Sequence, residues 1–152
     1  MLRSQFQERL KQAQHAKDEV TVATLRLILA ALQDRDISAR GKGNWDGIPD
    51  DEVLAMLTSM IKQRHESIRM YEVGNRPELA KREATEISVI ESFLPKQLSD
   101  DEVKAVIDET IAATGAAGLK DMGKVMAEIK AKYLGQLDMS KASGMVKEKL
   151  AG

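Results

Sequence analysis

Gly118-Leu-Lys-Asp-Met-Gly123-Lys124-Val125-Met126, leading on to Gly135-Gln-Leu-Asp138, is the stretch on which the fold turns. Two glycines separated by four residues and followed by lysine have the outline of a phosphate-binding loop, which would require a parallel sheet around it. Three physical points exclude that loop. Val125 follows Lys124 where the motif needs a Ser or Thr hydroxyl for Mg²⁺. Residues 108–117 read as the end of a helix and a turn, so no strand feeds the loop. No β-branched apolar run elsewhere supplies a sheet ending in a metal-binding Asp. With the sheet goes nucleotide hydrolysis, and an all-α chain is left.

Outward from this stretch the apolar residues recur at helical spacing. Leu2, Phe6, Leu10 and Ala13 predict a helix over 2–15. Val20, Ala23, Leu27, Ile28, Ala31 and Leu32 predict a second over 20–36, widened by Leu25 and Leu29, with Thr24 as its one polar inward member and Asp18 as N-cap. Residues 41–49 read as a loop from their Gly, Asn and Pro content. A long helix then opens at Asp50 or Asp51 and stops near Gly74, with Val53, Leu57, Met60, Ile61, Ile68 and Tyr71 inward. Pro77 opens a fourth, whose stripe of Leu79, Ile87, Ile90 and Leu94 is interrupted by Glu83. Pro95 ends it, and Ser99-Asp-Asp-Glu102 is a capping box for a fifth helix that reaches Gly115. Two short helices over 121–133 and 138–150 complete the chain. The expectation is an N-terminal four-helix unit over 1–94 and a C-terminal three-helix unit over 99–152.

Composition agrees with helix packing. Only five aromatics occur among 152 residues, so Leu, Ile, Val, Met and Ala must build the core. Cysteine is absent, which excludes disulfides and thiolate metal sites. The N-terminus lacks a signal-peptide core and no apolar run approaches the eighteen or so residues of a membrane span, so a cytoplasmic protein without membrane contact is expected. The net charge of −1 is unevenly spread. Residues 119–152 carry seven Lys against four Asp/Glu, whereas residues 47–118 carry eight Lys/Arg against fourteen Asp/Glu. A basic tail of this kind is either a nucleic-acid-facing end or a solvated lysine surface.

Catalytic apparatus is scarce. His15 and His65 lie in different helices and form no H-E-x-x-H pattern. Glu83, Glu86 and Glu91 share a helix, but no partner Glu-x-x-His completes a di-metal site, so ion pairs with Arg64, Arg76, Lys81 or Arg82 are expected instead. No serine elbow exists. Catalytic residues, metal ligands and cofactors are therefore all expected to be none. Met56, Met60, Met122, Met126, Met139 and Met145 read as gap-filling core residues. Trp45 is a partner anchor, a base-stacking residue or the hydrophobic plug of its own loop, and the plug is the favoured reading. The remaining constellation is Lys120, Gly123, Lys124, Gly135, Lys141 and Lys147. Lysines contact phosphates without reading base sequence, and glycines let a phosphodiester backbone approach, so these residues predict shape-selective, salt-sensitive RNA binding.

Several segments together resemble the GatB/YqeY family: Thr24-Leu-Arg26, Lys62-Gln-Arg64 with Ser67-Ile68 and Tyr71, and Gly74-Asn-Arg76. Leu79-Ala80, Glu83, Glu86-Ile87 and Leu94-Pro-Lys-Gln-Leu-Ser99 continue the likeness, as do Asp121-Met-Gly-Lys-Val-Met126 and Gly135-Gln-Leu-Asp138. His65-Glu66 departs from the family's usual polar residues. The resemblance implies an all-α fold whose C-terminal part is similar to the tail of the B subunit of glutamine-dependent aminoacyl-tRNA amidotransferase, which contacts the outer corner of tRNA. It thus implies tRNA or other folded RNA as partner, with an amidotransferase subunit or aminoacyl-tRNA synthetase as the alternative. It also carries the family label of carbon–nitrogen ligase activity with glutamine as amide donor, for which the residues offer no visible machinery.

Overall fold

The computed structural model describes residues 2–151. Among them there are seven α-helices, one 3₁₀ turn and no strand: α1 Leu2–His15, α2 Glu19–Gly41, α3 Asp50–Val73, α4 Pro77–Glu91, α5 Asp100–Thr114, α6 Met122–Tyr133 and α7 Met139–Ala151. The 3₁₀ turn, Leu119–Asp121, leads straight into α6. The glycine-lysine segment is therefore a tight turn and a helix start, with no strand to hold a phosphate cradle.

The helix ends follow from local chemistry. The Asp18 carboxylate accepts from the Thr21 N–H at 3.2 Å and the Thr21 hydroxyl at 2.6 Å, capping α2. At α5 the Ser99 hydroxyl accepts from Glu102 N–H while the Glu102 carboxylate accepts from Ser99 N–H, both at 3.2 Å. Gly115 closes that helix in the left-handed region, φ 68°. Two boundaries differ from expectation. Helix α2 continues through Gly41, beyond residue 36, since Ile37-Ser-Ala-Arg40 contains nothing that breaks a helix. Helix α4 ends at Glu91, short of Leu94, because Pro95 bars its predecessor from helical geometry and the chain unwinds through a turn before it.

The chain divides into two compact units, Met1–Leu94 with α1–α4 and Pro95–Gly152 with α5–α7. In the first, Phe6, Leu25, Ile28, Val53, Leu57 and Ile90 are fully buried, and Phe6 meets Phe93 edge-on at 4.8 Å. Burying each such aliphatic or aromatic side chain contributes about 1.5–3 kcal/mol. Thr24 is buried as expected, and its hydroxyl donates to Val20 O at 2.8 Å, so the polar group is satisfied. Leu27, placed on the inward face by spacing, is instead 49% exposed, because α2 turns its Leu25–Ile28 flank to the core. The second unit has its own core of Val103, Ile107, Val125, Ile129, Ala142 and Val146. Met122, Met126, Met139 and Met145 pack around it, the gap-filling role their spacing predicts.

Between α3 and α4 lies a charged cluster. Arg64 Nε is 3.0 Å from Glu86 and 3.9 Å from Glu83, and Arg82 is 3.8 Å from Glu86. This is the ion pairing expected of those acids. Burial first, and then the neighbouring Glu86 charge, push the Glu83 carboxyl above its ordinary range.

Candidate nucleic-acid interface

In the second unit, three helices turn their apolar stripes inward and their lysines outward. On α6, Val125 and Ile129 are buried, which sends Lys124 to the opposite, exposed side at about 100° per residue. Lys120 is exposed on the 3₁₀ turn just before it. Gly118 and Gly123 have no atom within 4 Å of where a side chain would begin, so the backbone there is open to an approaching ligand. Among the described residues, Lys120, Lys124 and Lys147 take part in no ion pair, and all three are exposed. One acid sits in their midst. The Ala117 N–H, donating at 3.0 Å, holds the Asp121 carboxyl below its usual range, helped by the Gly118 N–H and by Lys120 and Lys124.

The other expected contact residues are placed differently. Lys141 is exposed, but its ammonium donates to Asp100 on α5, and this bond pulls the Asp100 carboxyl below its ordinary range. Lys149 pairs likewise with Asp108 at 3.0 Å. The two rungs are eight residues apart on both helices, so α5 and α7 run parallel, stapled by lysine–aspartate pairs. Lys141 and Lys147 project about 120° apart on α7, not on one shared face. Gly135 is buried, with φ 81°, and its carbonyl accepts from the Gln97 side-chain amide while Leu98 N–H donates to Gln136 O at 2.8 Å. Gly135 thus forms the turn that receives the 95–98 segment and is turned into the protein.

Tertiary structure also changes the charge balance. Residues 95–152 carry nine Lys/Arg and nine Asp/Glu, because the acidic α5 belongs to the same unit as the basic tail. The unit as a whole is neutral, and Lys120 and Lys124 are exposed cations with Asp121 between them. Among the described residues, no group of three or more His, Asp or Glu is placed to hold a metal ion, and no helix is long and apolar enough to cross a membrane.

Sequence reasoning missed one construction in the first unit. Arg3 forks onto Asp36 at 2.7 and 2.8 Å and donates to Ile48 O at 2.9 Å, while Ile48 N–H donates to the same carboxylate at 2.9 Å. These residues are 33 and 45 positions apart, and no helical period links them. The only local signal was Gly47, whose φ of 92° puts its backbone against Arg3. Trp45 is the clearest correction. It is 75% exposed, and Ile48, 6% exposed, is the residue that plugs the loop. The Arg3–Asp36 fork draws Ile48 inward and leaves the tryptophan outside.

Comparison with known proteins supplies the lineage. A family model described as Yqey-like protein matches residues 3–150, almost the whole chain. Among similar proteins is "Altered inheritance of mitochondria protein 41, mitochondrial" of Lachancea thermotolerans, 32% identical over 85 residues, or 56% of this chain and 43% of the relative. The proteins of the same name from Vanderwaltozyma polyspora and Saccharomyces cerevisiae YJM789 are 28% and 26% identical. They cover 74% and 85% of this chain, and 62% and 66% of their own lengths. The chain thus spans less than two thirds of these curated relatives, whose names describe them as mitochondrial.

Proposed function

We propose, from the premise that the chain belongs to the YqeY-like protein family, that it is an RNA-binding accessory module without catalytic machinery of its own. The second unit is the counterpart of the amidotransferase B-subunit tail and lies against the outer corner of a folded RNA such as tRNA. Lys120, Lys124 and Lys147 neutralise phosphates there. The observation that carries this reading is that Lys120 and Lys124 are exposed and, among the described residues, outside any ion pair beside the open backbone of Gly118 and Gly123, with Lys147 likewise exposed on α7, while Lys141 and Lys149 are occupied by α5. The cytoplasmic placement belongs to the same proposal, and the relatives' mitochondrial names raise an organellar compartment as its alternative.

Filter binding of bulk tRNA at two salt concentrations tests it. Three neutralised phosphates correspond to a slope of about −2.7 in log K against log salt, so raising salt from about 50 to 200 mM weakens binding about 40-fold. Lys120→Glu with Lys124→Glu weakens binding at low salt at least tenfold, whereas Lys141→Ala has little effect on it. No binding at low salt, or binding indifferent to the double variant, overturns the reading.

One observation favours a second reading, an amidotransferase-associated factor. Met70 and Val73 are 75% and 90% exposed at the end of α3, an apolar pair suited to a protein partner. Co-purification of an amidotransferase subunit, lost on Met70→Lys, supports this reading. An amidation rate unchanged by the protein, with no co-purifying subunit, counts against it.

A further inference from the structure

The loop after α2 is closed by its own hydrogen bonds. Lys42 N–H donates to Ala39 O at 3.0 Å, Gly43 N–H to Arg40 O at 3.0 Å and Asn44 N–H to Ala39 O at 2.9 Å. The Asn44 side chain then braces the far side, donating to Gly47 O at 3.1 Å and accepting from Asp46 N–H at 3.0 Å. Gly43 and Gly47 take the positive φ values, 93° and 92°, that this path needs. Ile48 anchors the end through the Arg3–Asp36 fork. Trp45 therefore stands in solvent on a rigid support, and a ligand that stacks on it loses little to ordering the loop.

The surroundings select the ligand. Residues 37–46 contain Arg40 and Lys42 and a single acid, Asp46, next to the tryptophan. Beside the loop is a groove of about 310 Å³ lined by Arg35, Ser38, Lys42, Asn44, Ile48 and Glu52. Two cations against one carboxylate leave a net +1. That balance suits the single charge of a phosphodiester better than a terminal phosphate, which carries about −1.5 to −2. An exposed indole beside paired cations is the pattern by which proteins hold unpaired strands, with the base on the ring and the backbone on the cations.

We propose that Trp45 and the Arg35–Lys42 groove bind an unpaired polynucleotide strand, with Trp45 stacking on a base and Lys42 and Arg35 on the neighbouring phosphodiesters. This contact lies on the first unit and uses none of the lysines assigned above, so each reading can fail without the other.

Trp45 is the single tryptophan of the chain, so its fluorescence reports the loop directly. The full chain is titrated at low salt with ten-residue oligouridylate, its deoxy counterpart, and the same ribo-strand annealed into a duplex. Saturable quenching by the ribo-strand, at least tenfold weaker for the duplex, is expected. Quenching by both single strands assigns the site to unpaired strands in general, and quenching by the ribo-strand alone assigns it to RNA. By anisotropy of a labelled strand, Trp45→Phe keeps the affinity and Trp45→Ala loses about tenfold or more. Arg35→Ala with Lys42→Ala reduces the salt slope by about 1.4. Absence of quenching, or a labelled strand that binds Trp45→Ala as tightly as the parent, overturns the proposal.

Discussion

Gly47→Ala is the sharpest test of how the first unit is held together. Position 47 has φ 92°, and a Cβ there would lie 2.7 Å from the Arg3 guanidinium and 3.0 Å from the Asp36 carboxylate. Two costs follow. Holding a non-glycine residue at positive φ costs about 1–2 kcal/mol. Displacing the Arg3 fork loses charge-assisted hydrogen bonds of about 1.5–3 kcal/mol. That second cost is discounted to about 1–2 kcal/mol because the Arg3 side chain is 38% exposed. The expected total is about 3 kcal/mol. Gly43→Ala is the matched control, since Gly43 has φ 93° but nothing within 4 Å of its Cβ direction. It incurs only the backbone cost, about 1–2 kcal/mol. Urea unfolding followed by far-UV circular dichroism, with Trp45 fluorescence as a probe two residues from the change, gives both values. At about 2–4 °C per kcal/mol for a chain of this length, the two melting temperatures differ by roughly 5 °C. If the two variants match within about 0.5 kcal/mol, the fork contributes nothing at this site and the reasoning is refuted.

Two further outcomes concern the α3–α4 cluster. Arg64→Met leaves Glu83 and Glu86 facing each other without their shared guanidinium and is expected to cost about 3 kcal/mol in urea unfolding. A loss under about 1 kcal/mol would show that water already screens the cluster. Glu83→Gln has the opposite sign. Its carboxyl lies above the ordinary 4.5, so the folded chain holds the proton more tightly than the unfolded one. Stability from this group is full below about pH 4.5 and lost as pH rises through the raised value. The variant should be more stable than the parent at pH 7 and should flatten the decline between pH 4 and 8 in thermal melts. An unchanged slope would show that Glu83 is not the group responsible.

Most of the secondary structure was legible in sequence because its causes are local. The Ser99–Glu102 box, the Asp18 cap and the i, i+3, i+4 stripes act within one or two turns, so residue order alone reveals them. Where local causes weaken, boundaries drifted. Gly41 belongs to a stretch whose composition predicts a loop, yet in the structure it ends α2. Leu27 fits the apolar period, yet the core lies on the other flank of its helix. The candidate contact surface was legible only in part. Lys120 and Lys124 follow from the outward side of α6. Lys141 does not, since its partner Asp100 is 41 positions away.

By itself, then, the sequence determined that this chain is helical, where most helices begin, and that the glycine-lysine segment holds no triphosphate. A missing hydroxyl and a missing strand suffice for that, because both are facts of composition and order. Only the tertiary structure decided which charges are free and which are used. It brought the acidic α5 against the basic α7, closed Gly135 into a turn, and drew Ile48 inward so that Trp45 stands outside. The reason is physical: ion pairing and burial depend on distance in space, which residues far apart in the chain acquire only when their helices pack.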